Sequence, residues 1–192
     1  MRLVHRLIVG AVAAALLMPA AAVAESVRSL QKEFPKLDVA RSVVDLKELL
    51  SGGVPRAGIP AILAPDFLPV REVTGLGDDE PVIFLSGSCG AFAFPYRILI
   101  WHEIVHHDQC GLPVAVTYCP LCNTSMVFDR RVDGAVLSFG TSGRLRHSDL
   151  VMYDHQTETL WQQFTGEAIV GSHVGKTLTA IPARIESWSR FR

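Results

Sequence analysis

The chain has 192 residues, 49% of them hydrophobic and 19% charged, with a formal net charge of −1. That length and composition suit one globular domain with a sizeable core. The near-neutral charge excludes nucleic acid as the main partner, because phosphate binding leaves a basic excess.

The first element is not part of a fold. Arg2 and Arg6 precede an apolar run from Leu7 to Met18, which closes on Ala22, Val23 and Ala24 before Glu25. This is the layout of a secretory signal peptide, residues 1–24, cleaved after Ala24; a membrane anchor would need a longer apolar span. No second span of membrane length follows. The expected protein is exported, periplasmic or secreted, with no membrane span after cleavage. Residues 25–40 are expected to form a weakly structured lead-in, and 41–192 a single domain.

Within that domain, "VVDLKELLSGG" predicts a short amphipathic helix with Asp45 near its start and Gly52-Gly53 as its stop. "VPRAGIPAILAPDFLP" carries prolines that keep it extended or looped. "PVIFLS" reads as a strand, "GSCG" as a turn and "AFAF" as a returning strand. Pro95 then suits a first helical turn. Ile98, Trp101 and Val105 share one face at helical spacing, which predicts a helix over roughly 96–107. After Gly111 the pattern becomes strand-like. "LPVAVTY" is a buried strand. "SMVFDRRVDGAVLSFG" is a hairpin with Asp133-Gly134 at its turn, and "DLVMYDHQTETLWQQF" is a second, turning at Asp154 to Glu158. "EAIVG" and "KTLTAIPA" are short strands, and "RIESWSRFR" begins a helix. The fold class is α+β and β-rich, with mostly antiparallel strands and hairpins and one or two short helices.

Three groups of residues bear on chemistry. Cys119 and Cys122 form a C-x-x-C pair straight after a strand. A thioredoxin-like redox pair needs a long helix next, and "NTSMVFDRR" is too short and too β-branched to be one. As metal ligands, two thiolates at this spacing supply two corners of a tetrahedron, and His or Cys from elsewhere would supply the rest. A tight local disulfide is the remaining reading. The four cysteines, Cys89, Cys110, Cys119 and Cys122, allow three full pairings, among which spacing does not choose. Next, His102, Glu103 and His106 spell H-E-x-x-H on the predicted helix, the pattern of a zinc metalloprotease. That pattern is short, and no third ligand stands at a familiar spacing. Finally, Ser142, His147, Ser148, Asp149, Tyr153, Asp154, Trp161, Gln162 and Glu167 gather polar groups late in the chain, around the Gly-rich "GTSGRLRHSDL".

Taken jointly, "RILIWHEIVHH", "GLPVAVTYCPLCNTSMVFDRRVDG", "LSFGTSGRLRHSDLVMYDHQTETLWQQFTGEAIVG" and "IPARIESW" resemble the domain of unknown function family 3179. The resemblance covers about residues 33–192. It implies an exported bacterial or archaeal domain and assigns no activity. It also implies that this chain is short at its C-terminus. His106 and His107 depart from the family's usual Asn and Asp, which makes the H-E-x-x-H string incidental to this member, and His147, where Asn is usual, is a weak metal candidate. Cys89 and Cys110 also look particular to this sequence, which suggests a Cys89–Cys110 disulfide in an exported chain and leaves Cys119 and Cys122 as their own unit.

The leading expectation is therefore a metal site for copper or zinc, with His102, Cys119 and Cys122 as ligands. Glu103 and Asp149 are expected to serve as acid–base or supporting groups. Two alternatives stand beside it. One is a thiol–disulfide protein with Cys119 attacking and Cys122 resolving. The other is a non-catalytic binding module with a disulfide-closed turn. The expected ligand is a metal or an unidentified small molecule.

Overall fold

A computed structural model describes residues 27–192, so the expected signal peptide at 1–24 lies outside the described residues. Among the described residues, no helix is long and apolar enough to cross a membrane.

The described residues open with helix α1, over residues 27–33. Asp45 then caps a 3-10 turn, Leu46–Glu48, by accepting from the Lys47 N–H at 3.0 Å. The expected amphipathic helix is thus a single turn that leads straight into β1 (Leu50–Ser51). After the proline-rich segment come β2 (Pro81–Gly87), β3 (Gly90–Pro95) and α2 (Tyr96–His102). The central strands are β4 (Ile104–Asp108), β5 (Pro113–Cys119) and β6 (Thr124–Asp129). A short ribbon, β7 (Arg131–Val132) and β8 (Ala135–Val136), turns at Asp133-Gly134. Then follow β9 (Phe139–Arg146), β10 (Asp149–Asp154), β11 (Leu160–Gln162) and β12 (Ala168–Val170). The chain closes with β13 (Arg184–Ser187) and α3 (Trp188–Phe191).

These strands build a sheet of order β1-β9-β10-β11-β12, a sheet β4-β5-β6 and a sheet β13-β2-β3, each with antiparallel neighbours. The fold is β-rich with few short helices, as the hairpin signals imply. Layering follows from which faces are apolar. On β5, Ala115 and Cys119 turn toward Phe139, Leu150, Met152 and Trp161 of the five-stranded sheet. Val114, Val116 and Tyr118 turn the other way, onto Ile83, Leu85, Phe94 and Leu99. Both faces of β5 are therefore covered, which is why "PVAVTYC" is continuously buried instead of alternating. The far face of the five-stranded sheet packs Val151, Tyr153, Leu160 and Ile169 against Leu30, Phe34 and Leu37. The segment expected to be weakly structured, 25–40, thus supplies over its described residues 27–40 a helix and part of a core layer.

The helix expected over 96–107 ends at His102. Glu103 takes φ 56°, its N–H closes the last turn on Leu99 O at 2.7 Å, and the chain continues as β4. Ile104 and Val105 are β-branched and pair with Thr117 and Val116 of β5, so sheet pairing takes over from helical spacing. Leu99 and Tyr96 form the buried face of α2, while Ile98 and Trp101 remain open to solvent. "KTLTAIPA" contributes only isolated bridges, Thr177 to Glu167 and Ala180 to Phe128. "RIES" is a strand that precedes the terminal helix.

Candidate metal centre

Cys119 is the last residue of β5 and pairs in register with Thr124, the first of β6. The turn between them passes Pro120, Leu121, Cys122 and Asn123, with Asn123 in the left-handed region at φ 51°. Cys119 faces the core between two sheets and is 1% exposed, whereas Cys122 is half-buried. Both are free thiols. Thr124 Oγ1 lies 2.8 Å from Cys122 Sγ and donates to it.

The third member comes from the five-stranded sheet. β9 and β10 join through the two-residue turn His147-Ser148, with Arg146 paired to Asp149. Both turn residues have positive φ, 53° and 63°, as a tight type I′ connection between right-twisted strands requires. That turn aims Asp149 and the Ser148 carbonyl at the C-x-x-C turn. Cys122 Sγ donates to Asp149 Oδ1 at 3.3 Å, and Cys119 Sγ lies 3.8 Å from Ser148 O. The two sulfurs and one Asp149 oxygen all fall within 4.8 Å of one another. The other oxygen, Oδ2, accepts from Gln162 Nε2 and from the Phe164 N–H. Asp149 is itself 6% exposed, so its orientation is fixed on both sides.

Burial is the main cause that pushes the Cys122 thiol up to about 12; the thiol's bonds to Cys119 and Asp149 add to this, and the Thr124 hydroxyl opposes it. Without a cation, Cys122 is therefore a neutral thiol. A cation among these donors changes that balance, because thiols lose their proton on coordination. Two soft sulfurs and one hard oxygen suit a borderline transition metal.

The expected site residues divide. Cys119, Cys122 and Asp149 come together. His102 stands outside that group of three. It ends α2 close by: Glu103 O accepts from Tyr118 N at 2.8 Å, so the residue beside His102 lies against the residue beside Cys119. His102 Nδ1 is 2.7 Å from Pro60 O. A carbonyl partner makes Nδ1 the donor and leaves Nε2 as a lone pair, the arrangement usual for metal-binding imidazoles. Glu103 is the positive-φ residue after α2, and burial pushes its carboxyl up to about 7. His106 is one of two strand residues flanking Val105, not a helical neighbour of His102. Its Nε2 accepts from Phe139 N at 3.1 Å, and burial pushes it down to about 3. H-E-x-x-H thus straddles a helix end and a strand, so its histidines do not share a helix face. His147 is exposed, with Nε2 3.6 Å from Glu48 Oε2. Asp154 accepts from Trp161 Nε1 at 3.0 Å and from Thr157, an internal turn brace.

Cys89 and Cys110 form a disulfide with 5.9 Å between Cα atoms, joining the β2–β3 turn to the β4–β5 turn. It lies apart from the free pair.

Some residues carry no sequence signal for their part. Thr124 is a plain β-strand threonine until its register partner is known to be Cys119. Gln163 is fully buried, with Nε2 bonded to Thr117 Oγ1 at 2.8 Å and to Thr124 O at 3.3 Å. Its Oε1 has no partner among the described residues. Thr117 lies two residues before Cys119 on the same strand face, so this open acceptor belongs to the wall beside the thiols.

A family model described as "Protein of unknown function (DUF3179)" matches residues 56–192. No curated protein and no solved structure matches the chain.

Proposed function

The chain belongs to the DUF3179 family of proteins of unknown function, and on that premise we propose that it is an exported transition-metal-binding protein. Cys119, Cys122 and Asp149 are the first ligands, and His102, which stands outside that group of three, is the proposed fourth. One observation carries this reading. Two free thiols and a carboxylate oxygen lie within 4.8 Å of one another, in a chain whose other two cysteines are joined. The N-terminal signal pattern supports export. In an oxidising compartment, a bound ion is a reason for adjacent thiols to stay reduced. The ion is zinc or copper. A donor set with a carboxylate favours zinc, since cuprous ion gains little from a hard oxygen.

The test is metal content after anaerobic loading of the reduced protein with zinc and, separately, with cuprous ion, followed by desalting. The wild type is expected to retain one ion per chain and the Cys119→Ser/Cys122→Ser variant none. Equal, substoichiometric metal in both would remove this reading.

A second reading rests on the position of Cys122, the half-buried member of a pair of free thiols whose partner Cys119 is buried. Thiol–disulfide exchange would then begin at Cys122, with Cys119 resolving. This reverses the expected order, because Cys119 is the buried member of the pair. Thiol trapping across a redox titration separates the two readings. Exchange predicts a cycling Cys119–Cys122 disulfide that forms equally well in metal-depleted protein, whereas zinc would block it.

A further inference from the structure

The sheet β13-β2-β3 ends at β3, and the free side of β3 opens into a cavity of about 680 Å³. The wall of that cavity includes Ala91, Phe92, Ala93, Phe94 and Pro95 in unbroken succession. Side chains alternate between the two faces of a strand, so a wall made of consecutive residues is the strand's edge. Alternate residues there aim their N–H and C=O groups away from β2. Among the described residues, Ala91 to Phe94 have no backbone partner beyond β2.

Edge strands are normally protected by charges, bulges or a covering segment. "GAFAFP" carries no charge, and its register with β2 runs without a bulge from Gly87 to Val82. The proline-rich segment before β2 overhangs the strand without pairing with it. Phe67 packs edge-on against Phe92 and Phe94, at 4.9 and 5.6 Å between ring centres. Ile98, Trp188 and Phe191 complete an apolar groove. The edge is also held rigid at its start: Cys89 is disulfide-bonded to Cys110, and Gln109 Nε2 donates to Gly90 O at 3.2 Å.

Charge narrows the occupant. The charged side chains lining the groove are Asp66 and Arg97. Arg97 is already paired with Glu80 and donates to Gly75 O at 2.8 Å. Asp66 has no hydrogen-bond or ion-pair partner among the described residues, so the rim is left negative. We propose that this edge binds an extended apolar peptide segment of a partner protein bearing a basic residue, which adds to β3 as a fourth strand. Backbone hydrogen bonds would supply affinity, the groove would take alternate side chains, and Asp66 would take the basic one.

The probe is a fluorescent, end-blocked heptapeptide alternating valine with serine and carrying one lysine, beside versions with glutamate for lysine and with N-methylated alternate amides. Saturable one-to-one binding of the lysine peptide is expected by fluorescence anisotropy. The glutamate and N-methyl versions should bind about tenfold more weakly or not at all, the loss that follows from removing one or two hydrogen bonds or an ion pair. Asp66→Asn should abolish the lysine preference and leave the N-methyl effect. Absence of saturable binding overturns the proposal. So does binding that is blind to N-methylation, which would make the groove a plain apolar pocket. A concentration-dependent dimer that protects the β3 amides from exchange overturns it too, by making a second copy the occupant.

Discussion

Asp149 decides what the two thiols can do, and its neighbours decide where its carboxylate points. Gln162 Nε2 and the Phe164 N–H both hold Oδ2, leaving Oδ1 toward Cys122. Outer partners of this kind typically change metal affinity by roughly 10–100-fold when removed. Gln162→Leu is therefore expected to weaken zinc binding within that range without abolishing it, as read by competition with a chromophoric chelator. Unchanged affinity would mean that Asp149 is not a ligand. Glu103 makes a separate prediction about pH. Burial raises its carboxyl from 4.5 to about 7 in the folded chain, so the folded state holds that proton more tightly than the unfolded state does. Its contribution to stability is fully present below pH 4.5, falls as pH rises, and is gone above pH 7. His106 acts in the opposite sense, because its depressed value makes the fold lose stability as pH falls from 6.5 toward 3. The readout is thus the difference between wild type and Glu103→Gln in urea midpoint, measured at pH 5 and pH 8. The variant should gain more at pH 8. An equal gain at both would show that Glu103 titrates normally.

At the scale of elements, the site depends on two tight strand connections, the C-x-x-C turn and the His147-Ser148 turn. The second places two side-chain-bearing residues in the left-handed region, which costs about 1–2 kcal/mol per residue relative to the right-handed region. Ser148 offers the site only its carbonyl. Ser148→Gly should accordingly raise stability by about 0.5–1 kcal/mol in denaturant unfolding and leave zinc affinity unchanged. Lost affinity would mean that the strained turn itself positions Asp149. The elements show how far local pattern reaches. β2, β5 and the β10–β11 hairpin are legible because apolar runs and turn residues agree there. The helix over 96–107 is not, because Ile98, Trp101 and Val105 fit a helical face while Ile104 and Val105 fit β5 better. The C-x-x-C pair is likewise legible as a unit. Asp149 is legible as a supporting group, but its contact with Cys122 is not, since Asp149 is brought to it by pairing between β9 and β10, 27 residues further along.

At the scale of the whole molecule, the two cysteine pairs answer to different demands. Cys89 and Cys110 are both exposed and lie 21 residues apart in sequence; closing a loop of that order contributes about 2–4 kcal/mol. The free pair sits between the two central sheets. The layer on the far side of the five-stranded sheet comes from outside the family match, which begins at residue 56. Leu30, Phe34, Leu37 and Leu49 there cover Val151, Tyr153, Leu160, Ile169 and Val170. Arg56 extends the cover, stacking 4.9 Å over Phe34 and 4.4 Å over Tyr153 while pairing with Glu158 at 2.8 Å. Composition gave no hint of this, because a short polar-apolar lead-in and a packed cover helix read alike until the sheet is folded beneath them. A chain cut to residues 56–192 should therefore expose an apolar sheet face and aggregate. Phe34→Ala tests the same layer without deleting it. Phe34 is fully buried, so its truncation should cost about 3–5 kcal/mol in urea unfolding. Zinc stoichiometry should persist in the fraction that stays folded, because Cys119 and Cys122 lie on the opposite side of that sheet. A cost below about 1 kcal/mol, the size of a surface change, would show that the cover is dispensable and that the domain proper begins near residue 56.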